Sequence, residues 1–309
     1  MRIIQRRNWL FAFSLAILVP GVIALSMYGL KLGLDFTGGT RMTLQFTGTR
    51  PEGAAVVKLV QAKETTLTNV VAQTAGSQQL ILTMPTITND QRQAILTNLK
   101  ETLKADKKSN VTDVTEVAFD SVGPVIGQQL LRRALTAIVL VLITIIVYIS
   151  WAFRRVNIGV VPAWVYGVSA IMALVHDIFI VVGIFAILGH WYHIEIDALF
   201  VTALLTVLGF SVHDTIVVFD RVRERLVQGR ETTYEETVNV SLNQTMVRSM
   251  NTSVTTLLVL AALYLFGGES IKTFALALLI GIASGTYSSI FVASPLLVVY
   301  ERWKTSRRR

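Results

Sequence analysis

Ala198 to Phe219 reads ALFVTALLTVLGFSVHDTIVVF, an apolar run that would cross a bilayer without comment but for Asp214 inside it. About 20 apolar residues, rising 1.5 Å each, span the hydrocarbon core. A carboxylate placed there costs roughly 3 kcal/mol or more, so such a residue is usually paired, faces a helix bundle and marks a proton or ion path. The stretch therefore predicts a membrane-embedded helix with a functional charge.

The chain on either side is of the same kind. Of its 309 residues, 52% are hydrophobic and 16% charged, with a mean hydropathy of +0.57. That composition belongs to a polytopic membrane protein rather than a soluble globule. The absence of cysteine excludes disulfides, thiolate catalysis and Cys-based zinc sites. The net charge of +8 is spread over short segments beside apolar runs: Arg2, Arg6 and Arg7; Arg154 and Arg155; Arg221, Arg223 and Arg225; Arg302, Lys304 and Arg307 to Arg309. This is the positive-inside pattern, whereas a nucleic-acid face would cluster its charge on a folded domain.

Six runs can span: Trp9–Leu30, Leu131–Trp151, Ile158–Leu188, Ala198–Phe219, Thr252–Phe266 (extended backward by small polar residues) and Ile271–Val299. The basic clusters then fall on one side, which predicts six crossings with both termini inside; Arg132 and Arg133, at the outer start of the second run, count against it. The first run is about twice the length of a signal-peptide h-region and reads as an uncleaved span.

Three regions follow. Residues 1–30 are a basic N-tail and the first span. Residues 31–125 are a domain on the outer side. Residues 126–309 are spans two to six, with an inner amphipathic loop at 220–247 along the membrane surface and a basic C-tail. In the outer segment, Arg41–Phe46 alternates as a strand, Pro51–Thr65 is helical, Asn69–Thr74 and Gln78–Thr83 are short strands, Asn89–Lys104 is an amphipathic helix with Ile95, Leu96, Leu99 and Leu103 on one face, and Val111–Val122 is a closing strand. The order βαββαβ predicts a ferredoxin-like α+β module.

Asp214 needs a counter-charge, and Arg248 lies at the matching depth. Asp214 is 17 residues below Asp197 and Arg248 is 18 residues back from Phe266. Both are about 26 Å from the outer surface at 1.5 Å per residue. A carboxylate near an arginine stays ionised, and one desolvated away from it takes up a proton, so helix motion that changes their separation moves a proton. A static ion pair orienting two helices is the structural alternative. Asp177, His213, Asn251, Thr252 and Thr255 are candidate neighbours of the relay. His176–Asp177 in the third run echoes His213–Asp214, and Asp177 is either a second protonatable group or a local packing contact. Asp35 with Gly38 and Gly39 marks a hinge between first span and outer domain, since glycines allow positive φ and close backbone approach. Gly281 and Gly285 form a GxxxG packing face in the last run. His190, His193, Glu195 and Asp197 share a short outer loop, but without a third fixed ligand geometry they predict no metal.

Four motifs occur in order: Gly33–Thr40 (GLDFTGGT), Phe119–Gly127 (FDSVGPVIG), Val212–Glu224 (VHDTIVVFDRVRE), then Leu242–Thr245 (LNQT) with Leu265–Gly268 (LFGG). With six spans and one large outer loop after the first, they resemble the SecF family, the smaller subunits of the SecD–SecF protein-export complex in the resistance–nodulation–division superfamily. The resemblance implies Asp214 and Arg248 in proton passage, with H⁺ as coupling ion and no cofactor. It implies SecD, the SecYEG channel, YidC and an unfolded exported polypeptide as partners, and no nucleic acid. It implies a bacterial inner membrane, with the thylakoid as alternative. The function implied is late-stage polypeptide export driven by the proton motive force, not enzymatic chemistry. Two further readings compete: drug or lipid efflux, and an intramembrane enzyme. An aspartyl dyad of Asp177 and Asp214 would share a proton, but an arginine level with Asp214 opposes it.

Overall fold

The computed structural model describes residues 2–67, 69–105, 111–153 and 161–307. Arg154, Arg155 and the first residues of the third apolar run, together with Arg308 and Arg309, lie outside the described residues. The chain divides into two compact units, one of Met1–Lys31 with Ala134–Arg309 and one of Leu32–Arg133.

The chain is a multi-pass membrane protein: six helical stretches are long and apolar enough to cross a membrane. The first is α1 (Arg7–Tyr28), entered through a 3₁₀ turn at Ile4–Arg6. After it come a short α2 (Leu34–Thr37), β1 (Gly39–Gly48), α3 (Gly53–Lys63), β2 (Val71–Ala75), β3 (Gln79–Met84), α4 (Asn89–Ala105) and β4 (Val111–Val122). The remaining helices are α5 (Pro124–Ala152), α6 (Ala163–Tyr192), α7 (Ala198–Gln228), α8 (Tyr234–Phe266), α9 (Glu269–Ser288) and α10 (Ser294–Ser306). A π-helical turn at Ser289–Ala293 joins α9 to α10, and the two form the sixth span.

In the smaller unit the strands form one antiparallel sheet in the order β2-β3-β1-β4. That order, with a helix after β1 and another after β3, is the ferredoxin-like arrangement the strand and helix periods predicted. The period-2 pattern puts Met42, Leu44 and Phe46 of β1 and Leu80, Leu82 and Met84 of β3 on one face. They are buried against Val56 and Val60 of α3 and Ile95, Leu99 and Leu103 of α4. A reciprocal capping box starts α4: Thr88 Oγ1 accepts from the Gln91 amide at 3.3 Å, and Gln91 Oε1 accepts from the Thr88 amide at 3.0 Å. Arg92 of α4 pairs with Glu116 of β4, its guanidinium lying 4.3 Å from the centre of the Phe119 ring.

Both expected glycines near α2 are required. Gly38 and Gly39 have φ of 74° and 131°. A Cβ on Gly38 would lie 2.6 Å from Pro124 Cα, and one on Gly39 would lie 2.8 Å from the Met84 carbonyl oxygen.

In the membrane unit, α6, α7 and the sixth span are the most enclosed elements. Phe153 and Tyr166 stack and Phe219 meets both edge-on, with ring centres 5.3 to 6.1 Å apart. By contrast α5 meets the other spans near its last turns, where Ile149 and Phe153 are buried. All five tryptophans of the chain, Trp9, Trp151, Trp164, Trp191 and Trp303, are exposed near span ends. Trp and Tyr rings favour that level, where an apolar body meets lipid and the N–H meets water.

Two boundaries differ from expectation. The third span starts at Ala163, because Pro162 fits the N-cap but not a helix interior. Residues 220–247, expected as an amphipathic loop along the membrane surface, are instead the end of α7 and the start of α8. Only Gly229–Thr233 connects them, with Gly229 in the left-handed region and Thr233 capping α8 through the Glu236 amide at 3.2 Å. An ion pair between Arg225 and Glu231, 2.9 Å apart and largely buried, closes the turn, while Arg221 and Arg223 pair along α7 with Glu224 and Asp220.

Candidate functional site

The helical period of α7 puts Ser211, Asp214 and Thr215 on its buried face, against α8 and the sixth span. The small residues of α9 allow the approach. Gly281 sits directly on Val207, and a Cβ on Gly285 would fall 2.9 Å from Ser211 Cβ. The GxxxG face therefore packs inside the chain, against α7.

Asp214 is 8% exposed. Its Oδ1 accepts a hydrogen bond from Ser249 Oγ of α8, and its Oδ2 has no hydrogen-bond partner among the described residues. A cavity of about 20 Å³ adjoins it, lined by His213, Asp214, Arg248, Ser249, Thr252 and Ser253 among others. That is room for one water molecule, enough to bridge a carboxylate to a guanidinium. Arg248 shares the cavity as its depth predicted, but no N···O contact within 4 Å pairs it with Asp214 among the described residues. One residue further along α8 turns the direction by about 100°, so Ser249 and not Arg248 meets the carboxylate. The geometry is a carboxyl group and a guanidinium lining one water-sized space without a direct ion pair among the described residues.

The expected neighbours divide. His213 and Thr252 line the cavity. Thr255 donates to the Asn251 carbonyl at 2.9 Å on its own helix, and both are exposed. Asp177 is elsewhere, in a polar cluster of its own. It is 0% exposed and receives Ser211 Oγ of α7 at 2.7 Å and Ser284 Oγ and Ser288 Oγ of α9 at 2.8 and 2.7 Å. His176 Nδ1 lies 3.1 Å from the same carboxylate. No hydrogen bond joins Asp177 to Asp214 among the described residues, so the two do not form an aspartyl dyad.

Sequence reasoning missed the serines. Ser284 and Ser288 interleave with Gly281 and Gly285 at the same four-residue spacing, and the stripe read as packing alone. Serines at i and i+4 beside a GxxxG face, opposite a span carrying an aspartate, are the signal that could have found them.

The histidines and carboxylates of the α6–α7 connection have separate tasks. Asp197 caps α7 through the Phe200 amide at 2.9 Å. Glu195 pairs with Lys31 at 3.8 Å. His190 stacks on Tyr28 with ring centres 3.8 Å apart, and His193 ends α6 at φ 56°. Among the described residues no group of three His, Cys, Asp or Glu could hold a metal ion.

Comparison with known proteins places this arrangement among relatives. Residues 102–303 match the family of the protein export membrane protein SecD/SecF, C-terminal, and residues 23–49 match the SecD/SecF GG motif. A protein translocase subunit SecF of Thermobaculum terrenum is 48% identical over 95% of this chain and 93% of its own length. One from Anaerolinea thermophila is 40% identical over 100% and 97%. The crystal structure of SecDF, a translocon-associated membrane protein from Thermus thermophilus, superposes with a TM-score of 0.78 at 33% identity. It takes in 98% of this chain, which spans 39% of the length of that one.

Proposed function

Because the chain belongs to the SecD/SecF protein export membrane family, we propose that it is an auxiliary subunit of a Sec protein translocase. In this reading it completes export of unfolded polypeptides, using the proton motive force, together with a SecD partner. The observation that carries the coupling is the separated pair at the cavity: Asp214, buried with one oxygen unpartnered among the described residues, and Arg248 lining the same space.

A carboxylate held beside a guanidinium favours its ionised form; the same carboxylate deprived of it in a low-dielectric span favours the acid. A proton arriving through the water-sized cavity binds Asp214 Oδ2. The neutral acid no longer attracts Arg248, and α7 and α8 are released to shift. Loss of the proton restores the attraction and returns the helices. Each cycle passes H⁺ down its gradient and moves α7 against α8. In this account Gly38 and Gly39 form the hinge through which such motion reaches the α+β domain, placed on the outer side of a bacterial inner membrane.

The Thermus relative carries SecD and SecF in one chain of which this one covers about a third, which supports a separate SecD-like chain supplying the rest. SecYEG and YidC are the further partners of this reading. The test is depletion. Cells deprived of this chain accumulate secretory precursors trapped part-way, and re-expression clears them. Unchanged precursor processing after depletion contradicts the reading.

A further inference from the structure

We propose that Asp177 is a second proton-binding residue, loaded through His176, whose charge state sets how firmly α9 is held to α6 and α7. This rests on the reading of the chain as a proton-coupled subunit.

Asp177 is fully buried and all its accepting capacity is used. Oδ1 takes Ser284 Oγ at 2.8 Å and His176 Nδ1 at 3.1 Å; Oδ2 takes Ser211 Oγ and Ser288 Oγ, each at 2.7 Å. Three serine donors and, in the tautomer with its proton on Nδ1, His176 match the four lone-pair positions of an ionised carboxylate. Yet no Lys or Arg pairs with it among the described residues, so no fixed cation locks the charge. The other titratable groups near it are few. Tyr287 of α9 has its ring centre 6.5 Å from that of His176, and Asp214 lies one turn from Ser211 on α7. From Asn8 to Met27, α1 has no ionisable side chain, and neither has the stretch from Ser289 to Val299.

His176 supplies the entry. Its side chain is 8% exposed, and its Nε2, itself buried, meets no hydrogen-bond partner among the described residues. With Nδ1–H donating to Asp177, Nε2 offers a lone pair. A proton binds Nε2, the Nδ1 proton passes to Asp177 Oδ1, and the ring ends neutral with its proton on Nε2. The net change is one proton gained and the carboxylate neutralised. Discharge runs the same transfers backward.

The new proton on Oδ1 points back to the Nδ1 lone pair and the three serines keep their acceptors, but a neutral acid accepts more weakly than a carboxylate, so all three bonds are weakened. Ser288 has a second acceptor ready, the Gly285 carbonyl at 3.2 Å on its own helix. Protonation thus loosens the hold of α6 on α9. The loosened helix leads into the π turn, whose Ser289 bonds Thr215, the neighbour of Asp214, at 2.9 Å. Asp177 and Asp214 are linked through α9 in this way, each able to bias the other.

The test is acid-minus-alkaline difference infrared spectroscopy of the full chain in lipid. Wild type should show protonated-carboxyl bands of which Asp177→Asn removes one and Asp214→Asn another. Ser284→Ala with Ser288→Ala keeps the acid and should shift only the Asp177 band, which guards against misfolding of the Asn variant. A spectrum that loses a band in Asp214→Asn and none in Asp177→Asn or the serine variant overturns the inference and leaves the coupling reading intact. Loss of the Asp177 band with none assignable to Asp214 upholds the inference and contradicts the Asp214 relay.

Discussion

Asp214 and Arg248 can be tied in two ways, and the two predict different costs. A static buried ion pair loses about 3–5 kcal/mol when one partner goes. A relay pair held apart across a cavity loses little stability and all of its coupling. Arg248 is exposed in the chain and makes no ion pair within 4 Å with Asp214 among the described residues. Arg248→Met should therefore insert and unfold much as wild type, within about 1 kcal/mol, while export becomes indifferent to the proton gradient. Unfolding measured in detergent checks the first half. A drop of several kcal/mol would mark a structural pair. Sequence alone located this pair, because depth along a span is arithmetic in residue number. It could not assign the hydrogen bond to Ser249, because a rotation of one residue about a helix axis is decided by how α7 and α8 pack.

At the scale of elements, close contact between α7 and α9 brings Ser211, Ser284 and Ser288 to one carboxylate. Gly281→Leu would drive a side chain into Val207 and should cost about 1–3 kcal/mol. Gly209→Ala, which meets nothing within 4 Å, should be near neutral; similar losses at both sites would show that the crossing carries no such constraint. In the α+β unit, a hydrogen bond from Lys104 holds the Asp113 carboxyl below its ordinary range. A group lowered in the folded state adds stability above its unfolded value, and this is lost as pH falls through the folded one. Proteolysis should thus find Lys104→Met slightly less stable than wild type at neutral pH and equal to it in strong acid; a gap unchanged in acid would contradict the assignment. The strand and helix periods of this unit gave its fold because each element has one wet face and one dry face. The 220–247 segment misled for the opposite reason: it pairs Arg221 and Arg223 along the exposed end of α7 and Arg225 with Glu231 across the turn, which a linear pattern cannot distinguish from a solvated surface helix.

For the whole molecule, alternation of six spans assigns Trp9, Trp151, Trp164 and Trp303 to one membrane face and Trp191 to the other. The basic clusters lie with the four, the side expected to be inside. Because the chain has no cysteine, single-cysteine variants report sidedness directly. Asn8→Cys and Thr305→Cys should react with an impermeant maleimide only from the cytoplasm, and His193→Cys only from outside; labelling of all three from one side would break the topology.

The most direct measurement of the central claim follows late translocation of a secretory protein into inverted vesicles that hold this chain and its partner, with and without a proton gradient. The gradient should speed completion in wild type and have no effect in Asp214→Asn, with equal amounts of both in the membrane. An equal response in the two would contradict coupling through Asp214.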